Sequence, residues 1–318
     1  MPVTVFRGMK PYQQLLFSAF IIIVSFLAVL LVSVIIAIPL FGIKSVLAIS
    51  DPGGFSDPEK LNVLKYFQVA QSIGFFILPS LIIPWLFSGK ATSYLQLDRS
   101  SNGSTFLIVI LLIMIISPGI NFLGFLNSRM AFPDWLSGLE EWMRNAEDNA
   151  MKLTEAFLKM ETTGSLIFNL FMIAFLPAIG EELLFRGIIQ KLFSQWTKNF
   201  HVGIWISAFL FSALHLQFYG FLPRFVLGLL FGYILVWTKN LWLPILAHFI
   251  NNAAAVILYF LIHKELVQKE IEDYGAAPGS YYMAILSFGF GIILLWLLKT
   301  SGYHRSPEKR IIDPDRQL

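Results

Sequence analysis

Glu181, Glu182 and Arg186 lie in the stretch Ala174 to Gln190, AFLPAIGEELLFRGIIQ, which is otherwise fit for lipid. An ionisable side chain at membrane depth is unfavourable by roughly 2.5–3.5 kcal/mol on insertion scales, so three of them together mark a functional site. At helical spacing Glu182 and Arg186 stand four apart and face each other as a pair that neutralises itself. Glu181 points about 100° away around the helix, beyond easy reach of the same arginine. A carboxylate left free in this way can act as a base. The later spans offer His215 in FLFSALHL, and His248 in LPILAHFINN with Asn252 one turn further on. No other residue of those spans reads as comparably polar. Taken singly, a histidine in a span bonds a neighbouring carbonyl and an asparagine joins helices. As a set spread over three spans, they point to chemistry.

That chemistry is narrow. Glu181 with His215 can deprotonate a water, while His248 and Asn252 can donate hydrogen bonds to an oxyanion as it forms, which suits hydrolysis of an amide. Glu181, His215 and His248 can instead hold a divalent metal such as zinc, with an open position for water. Asn252 is a poor zinc ligand and a good oxyanion donor. The balance therefore favours glutamate-activated water with no required cofactor.

The elements that must position these residues are membrane spans. The chain has 318 residues, of which 56% are hydrophobic and only 14% charged, and its mean hydropathy is +0.69. These values lie outside the range of an ordinary soluble domain and imply an integral membrane protein. The net charge of +3 comes from scattered residues without a dense basic stripe, so nucleic acid is not an expected partner. The absence of cysteine excludes a thiol nucleophile, a thiolate metal site and a disulfide framework.

Runs near the ~20 residues that cross a bilayer predict an all-α polytopic transmembrane helical bundle of about eight spans. The expected spans are Leu15 to Phe41, Tyr66 to Phe87, Thr105 to Leu126, Ser165 to Leu192, Ile204 to Leu216, Phe221 to Trp237, Leu241 to Ile262 and Tyr281 to Leu298. The first is too long for a signal-peptide core and reads as a retained span. Asp51-Pro52-Gly53-Gly54 is a turn signal. Asp134 to Met160 is amphipathic, with Trp135, Leu139, Trp142, Met143, Ala146, Ala150, Leu153 and Phe157 recurring at helical spacing. It predicts an interfacial helix before the fourth span, with Ser137 and Glu140 as a capping box. The expected organisation is residues 1–163 for the first three spans and the amphipathic segment, 164–299 for the catalytic core, and 300–318 for a polar tail. An even span count puts both termini on one side. Arg7, Lys10, Arg305, Lys309, Arg310 and Arg316 favour the cytosol.

Glu181-Glu182-x-x-x-Arg186, Phe211-x-x-x-His215 and His248-x-x-x-Asn252, in that order, resemble the CPBP family of intramembrane proteases, which includes the CAAX prenyl endopeptidases and abortive-infection-like bacterial membrane proteins. The resemblance runs from about Phe175 to Ala255 and includes the glycine-rich Leu227 to Tyr233. It implies a bundle of about eight spans around a membrane-embedded cavity and hydrolysis of a membrane-anchored peptide or protein, near the C-terminal end in prenyl-protein members. By the same resemblance Glu181 and His215 activate water, His248 and Asn252 form the oxyanion hole, and Glu182 and Arg186 are supporting residues. It also implies residence in the bilayer of a bacterial inner (plasma) membrane, with cytosolic termini.

The rival readings are a proton- or ion-coupled transporter and a catalytically silent scaffold or immunity-type protein. The transporter would show an internal repeat or paired broken helices, and none is found. The motifs of the site-two, rhomboid and presenilin-like proteases are absent. Gly228 and Gly232 read as a close helix contact rather than as chemistry.

Overall fold

The computed structural model describes residues 6–50, 55 and 57–303. The Asp51 to Gly54 turn and the tail residues Arg305, Lys309, Arg310 and Arg316 lie outside the described residues. Every regular element among the described residues is helical. Seven helices are long and apolar enough to cross a membrane. They are α1 (Pro11–Phe41), α2 (Pro58–Ser88), α3 (Gly103–Ser128), α5 (Thr163–Thr197), α7 (Phe218–Thr238), α8 (Trp242–His263) and α9 (Tyr281–Thr300). Between them lie the amphipathic α4 (Ser137–Leu158) and a short apolar α6 (Phe200–Ala213) of 14 residues. The expected fifth span is therefore present as a helix rising about 21 Å, short of a ~30 Å hydrocarbon core.

Hydrogen bonds between the connections define the two ends of the bundle. At one end Leu241 N donates to Gln96 O at 3.2 Å, Asn240 Nδ2 to Ser101 Oγ at 3.0 Å and Trp242 Nε1 to Leu97 O at 3.1 Å. At the other, Asn121 Nδ2 donates to Glu272 O at 3.0 Å and Lys264 Nζ to Glu161 O at 2.8 Å. The segment after α6 is tied to the second end, because Asn127 Nδ2 donates to Phe218 O at 3.0 Å. Short as it is, α6 thus runs from one end toward the other. Pro11 and the last turns of α9 lie at the same end, as Leu298 packs with Val109 near the start of α3.

The long helices tolerate their prolines through wider turns. π-helical turns at Ile73–Ile77 in α2 and Leu170–Phe175 in α5 each end two residues before a proline, Pro79 and Pro177. Neighbouring groups and local rewinding take up the backbone groups a proline leaves unpaired. α5 is central and buried on nearly all sides from Leu176 to Gln190. Its Gly180 lies so close to α2 that a Cβ would sit 2.8 Å from that of Phe76. α1 and α9 present Leu16, Phe20, Leu31, Ile285, Ile292 and Trp296 outward, an apolar girdle suited to acyl chains rather than water. The protein is an integral membrane protein.

α4 lies across the second end. Met143, Ala156 and Phe157 face the bundle, while Trp135 stays 80% exposed, the placement expected of an interfacial helix. The capping box does not form. Leu136 precedes the helix without a side-chain cap, and Glu140 instead accepts from Phe132 N at 3.2 Å and from Arg144 Nη2 at 2.5 Å. The i,i+4 arginine competes successfully for the carboxylate that a box would need.

Gly228 and Gly232 line the α6–α7 contact. A Cβ on Gly228 would lie 3.0 Å from Ala208 Cβ and 3.1 Å from its Cα, and one on Gly232 would lie 2.8 Å from Ile204 Cγ2. Gly228→Val should therefore push α7 off α6 and lower stability by about 1–3 kcal/mol, the usual range for overpacking. An unchanged thermal unfolding midpoint in detergent would contradict this contact.

Candidate active site

Four ionisable side chains form one chain of contacts inside the bundle. Arg186 Nη1 lies 3.0 Å from Glu182 Oε1, with both side chains wholly buried; it is an ion pair without hydrogen-bond alignment at that nitrogen. The same oxygen accepts from His248 Nδ1 at 2.9 Å. On the far side of the ring, His248 Nε2 faces Glu181 Oε2 at 3.9 Å. The order Arg186, Glu182, His248, Glu181 thus brings α5 and α8 together through polar atoms in a region otherwise packed with leucine and phenylalanine.

The arginine sits in a cage. Its Nη2 donates to Gly228 O at 3.2 Å, and its guanidinium carbon lies 4.5 Å from the ring centre of Phe211 and 5.4 Å from that of Phe231. Ring faces are electron-rich and attract a desolvated cation. Phe231 also stacks on His248 at 5.2 Å, and Phe211 meets the edge of His248 at 5.8 Å and of His215 at 5.2 Å. Phe211 is therefore the hub that separates the two histidines while touching both.

His215 lies just beyond the end of α6. Its Nδ1 donates to Phe211 O at 2.7 Å, which leaves Nε2 of the neutral ring as an acceptor. The ring is exposed, yet Glu181, His248 and Arg224 all act on it electrostatically. Asn252, half-buried, donates from Nδ2 to Ile173 O at 3.3 Å and accepts from Asn251 Nδ2 at 3.1 Å. The backbone explains the first bond: Ile173 is four residues before Pro177, whose missing N–H would otherwise serve that carbonyl.

Of the sequence-predicted residues, Glu181, Glu182, Arg186 and His248 meet directly, His215 reaches them through the Phe211 ring, and Asn252, one turn beyond His248, contacts Asn251 and Ile173. Glu182 and Arg186 pair as expected. Glu181 makes no hydrogen bond to His215; its nearest charged neighbour is His248. Glu182, expected only to support Arg186, also orients His248, whose Nε2 can donate to an oxyanion only when the ring carries both protons. Two surface hollows, of about 350 and 450 Å³, lie at Ile262–Lys269 and beside Asn121, away from these residues. Neither hollow is the membrane-embedded cavity implied by the resemblance; beside His248 the rings of Phe211 and Phe231 pack against the imidazole. The described residues contain no cluster of three His, Cys, Asp or Glu side chains arranged to hold a metal ion, so Glu181, His215 and His248 do not fit a metal as they stand.

Sequence reasoning missed Arg224 on α7, which donates from Nη1 to Gln217 O at 3.0 Å and also contacts the Gln217 side chain. The signal was present, as Arg224 is an ionisable residue inside a predicted span. It also missed Gln190 and Asn169, both buried. Gln190 Nε2 donates to Gly232 O at 3.3 Å and Asn169 Nδ2 to Phe157 O at 2.6 Å.

Residues 163–254 match the family described as type II CAAX prenyl endopeptidase, Rce1-like. Among curated proteins the chain is similar to the uncharacterized protein YpbD of Bacillus subtilis, at 33% identity over 89 residues, 27% of this chain and 42% of that protein. It is also similar to the membrane-embedded CAAX protease MroQ of Staphylococcus aureus, at 30% identity over 110 residues, 33% of this chain and 44% of that protein. The chain thus spans under half the length of the curated relatives it matches. No solved structure matches it. The matched segment holds α5, α6, α7 and the half of α8 that carries His248 and Asn252, so the likeness to the Rce1-like CAAX prenyl endopeptidases falls on the part of the chain that carries these polar side chains.

Proposed function

We propose that the protein is an intramembrane endopeptidase that hydrolyses a peptide bond of a membrane-anchored substrate. The observation that carries this reading is the contact chain from Arg186 to Glu181, with an exposed His215 beside it. A buried ion pair holds a histidine, and the histidine faces a second carboxylate. The 3.9 Å between Glu181 and His248 is a separation at which one water can hydrogen-bond to both.

In the proposed reaction Glu181, aided by the acceptor Nε2 of His215, takes a proton from that water as its oxygen attacks the substrate carbonyl. The carbonyl π bond opens to an oxyanion. It accepts hydrogen bonds from doubly protonated His248 and from the second N–H of Asn252, the first being held by Ile173 O. Collapse of the tetrahedral species breaks the C–N bond, and Glu181 returns its proton to the leaving amine. Glu182 fixes the ring of His248, as the buried carboxylate does in a catalytic triad. The reaction as written uses no metal.

Orientation follows from charge. The end bearing Pro11 carries Arg7, Lys10, Lys90, Arg99, Lys198 and Lys239 in short connections, and Asp98 is its one carboxylate among the described residues. The other end holds longer segments rich in Asp and Glu. Lysine and arginine in short loops mark the cytosolic side, so both described ends of the chain face the cytosol and α4 lies at the opposite surface. Because the chain lacks cysteine, single cysteines report this cleanly. In intact cells Ser100→Cys should resist a membrane-impermeant maleimide and Asn145→Cys should react; the reverse pattern would invert the orientation.

Purified protein should cleave a lipid-anchored test peptide, and Glu181→Ala or His215→Ala should reduce cleavage by about 10²–10⁴-fold with folding retained. Cleavage should survive exhaustive chelation. Full proteolysis by both variants would refute the assignment, Glu181-dependent proton flux without cleavage would replace it with a transporter, and zinc-restored activity after chelation would install a metal.

Glu182→Gln should act differently. It leaves Arg186 buried without a countercharge, a loss on the order of 3–5 kcal/mol, while the amide oxygen can still accept from His248 Nδ1. A lowered unfolding midpoint is expected, with turnover per folded molecule reduced less than in Glu181→Ala; normal stability with turnover lost as fully as in Glu181→Ala would give Glu182 a direct part in the chemistry.

A further inference from the structure

His215 is the one member of the site that no regular helix holds. It falls between the end of α6 at Ala213 and the turn at Phe218–Gly220. The next residue, Leu216, adopts φ +53°, a left-handed conformation that a branched L-residue disfavours. Left to itself this loop would relax and carry the imidazole with it. Something must hold it.

The holding groups come largely from outside the segment that matches the protease family. Glu147 on α4 accepts from Tyr219 N through Oε2 at 3.0 Å. Arg144, one turn before it, lies 4.6 Å from the Tyr219 ring centre, and Trp142 packs on Phe218 at 5.2 Å. Asn127 on α3 grips the same loop from its other side, donating to Phe218 O at 3.0 Å and accepting from Leu222 N at 2.6 Å. From within the domain, Arg224 holds Gln217. Every residue from Gln217 to Tyr219 thus has a side-chain partner, while His215 is held by Phe211, through its carbonyl and its ring, and by its own N–H on Ser212 O at 3.3 Å.

We propose that Glu147 is a positioning residue for His215: by fixing the Tyr219 N–H it makes α4 a clamp that holds the His215 loop in its left-handed turn and the imidazole toward Glu181. The proposal rests on the reading of His215 as a participant in water activation. It gives the amphipathic helix a role in the domain's chemistry, supplied by residues before the domain begins. The carboxylate oxygen matters here as an acceptor, and its charge is secondary.

The test uses the full chain in detergent micelles with a lipid-anchored, fluorescence-quenched peptide that the unaltered protein cleaves. Glu147→Ala should lower kcat by about tenfold or more, as misplacement of a reacting group does, with KM nearly unchanged. Glu147→Gln, which keeps an acceptor oxygen, should restore most of kcat. Glu141→Ala, on the exposed face of the same helix, should behave as the unaltered protein. Should Glu147→Ala fail to fold, Glu147→Asp, one methylene shorter, carries the same expectations. Unchanged kcat in Glu147→Ala, alongside an inactive His215→Ala, would overturn the clamp alone. A rise in KM with kcat intact would overturn it in favour of substrate contact, and failure of Glu147→Gln to rescue would overturn the acceptor role. Full activity in His215→Ala would instead remove the reading on which the clamp rests.

Discussion

The ion pair between Arg186 and Glu182 is the constraint on which the rest of the interior depends. Two opposite charges with no exposed surface are tolerable in a low-dielectric interior only when they meet closely and when remaining polar atoms find partners. The chain meets the first condition by spacing them four apart on α5. It meets the second only in part, leaving Arg186 Nε and Nη1 and Glu182 Oε2 without a hydrogen-bond partner among the described residues, while three other helices converge on the pair: a carbonyl from α7 at Gly228, a ring from α6 at Phe211, and an imidazole from α8 at His248. Each of those contacts sets a helix position. Gly228 has to be small to bring its carbonyl within reach, and Phe211 has to point inward to cover the guanidinium. A pair that only neutralised itself would need none of this. The convergence makes sense because Glu182 uses one oxygen for both Arg186 and His248, so the charge that stabilises the pair also fixes a ring facing Glu181.

The backbone shows a related economy. A proline in a membrane helix frees a carbonyl that lipid cannot satisfy. In α5, Pro177 frees Ile173 O, and the side chain that takes it is Asn252. The same substitution of side chain for backbone donor draws α8 against α5 at the level of His248. The π turn of Leu170–Phe175 adds a residue to that stretch and rotates the helical turns beyond it, which sets the face on which the two glutamates emerge. Helix irregularities here are therefore part of how the polar side chains are aimed.

Much of this was legible from residue types and spacing. The Glu182–Arg186 pair, the helical spans and the close contact at Gly228 and Gly232 depend on local periodicity, which a sequence displays directly. Three things were not legible, each for a physical reason. The 3.9 Å approach of His248 Nε2 to Glu181 joins side chains of two different helices, which spacing within one helix cannot connect. The capping box at Ser137 yielded to Arg144, a competition between two acceptable partners for Glu140 that pattern alone cannot decide. The docking of α4 on Phe218 and Tyr219 joins residues some 70 positions apart, and no local rule connects them. Arg224 is a different case, since its presence inside a span was itself the signal.

Depth along the bundle then accounts for the placement of His215. α5 has 35 residues and rises about 52 Å, so Glu181, near its midpoint, lies far from either end. α6 has 14, and its last turn stops at the level of His248 rather than at the surface reached by α3. A short helix beside long ones leaves a dent, and a dent is what allows His215 to be exposed while Glu181, one contact away from the buried ion pair, stays almost wholly covered. The same shortness means that the chain passes from His215 to the start of α7 at Phe218 through Leu216 in a disfavoured conformation, its N–H bonded to Ala213 O at 3.1 Å. α4 lies over that passage. The exposure of His215 and the loop that must be held against relaxation are thus two consequences of one structural choice, the truncation of α6.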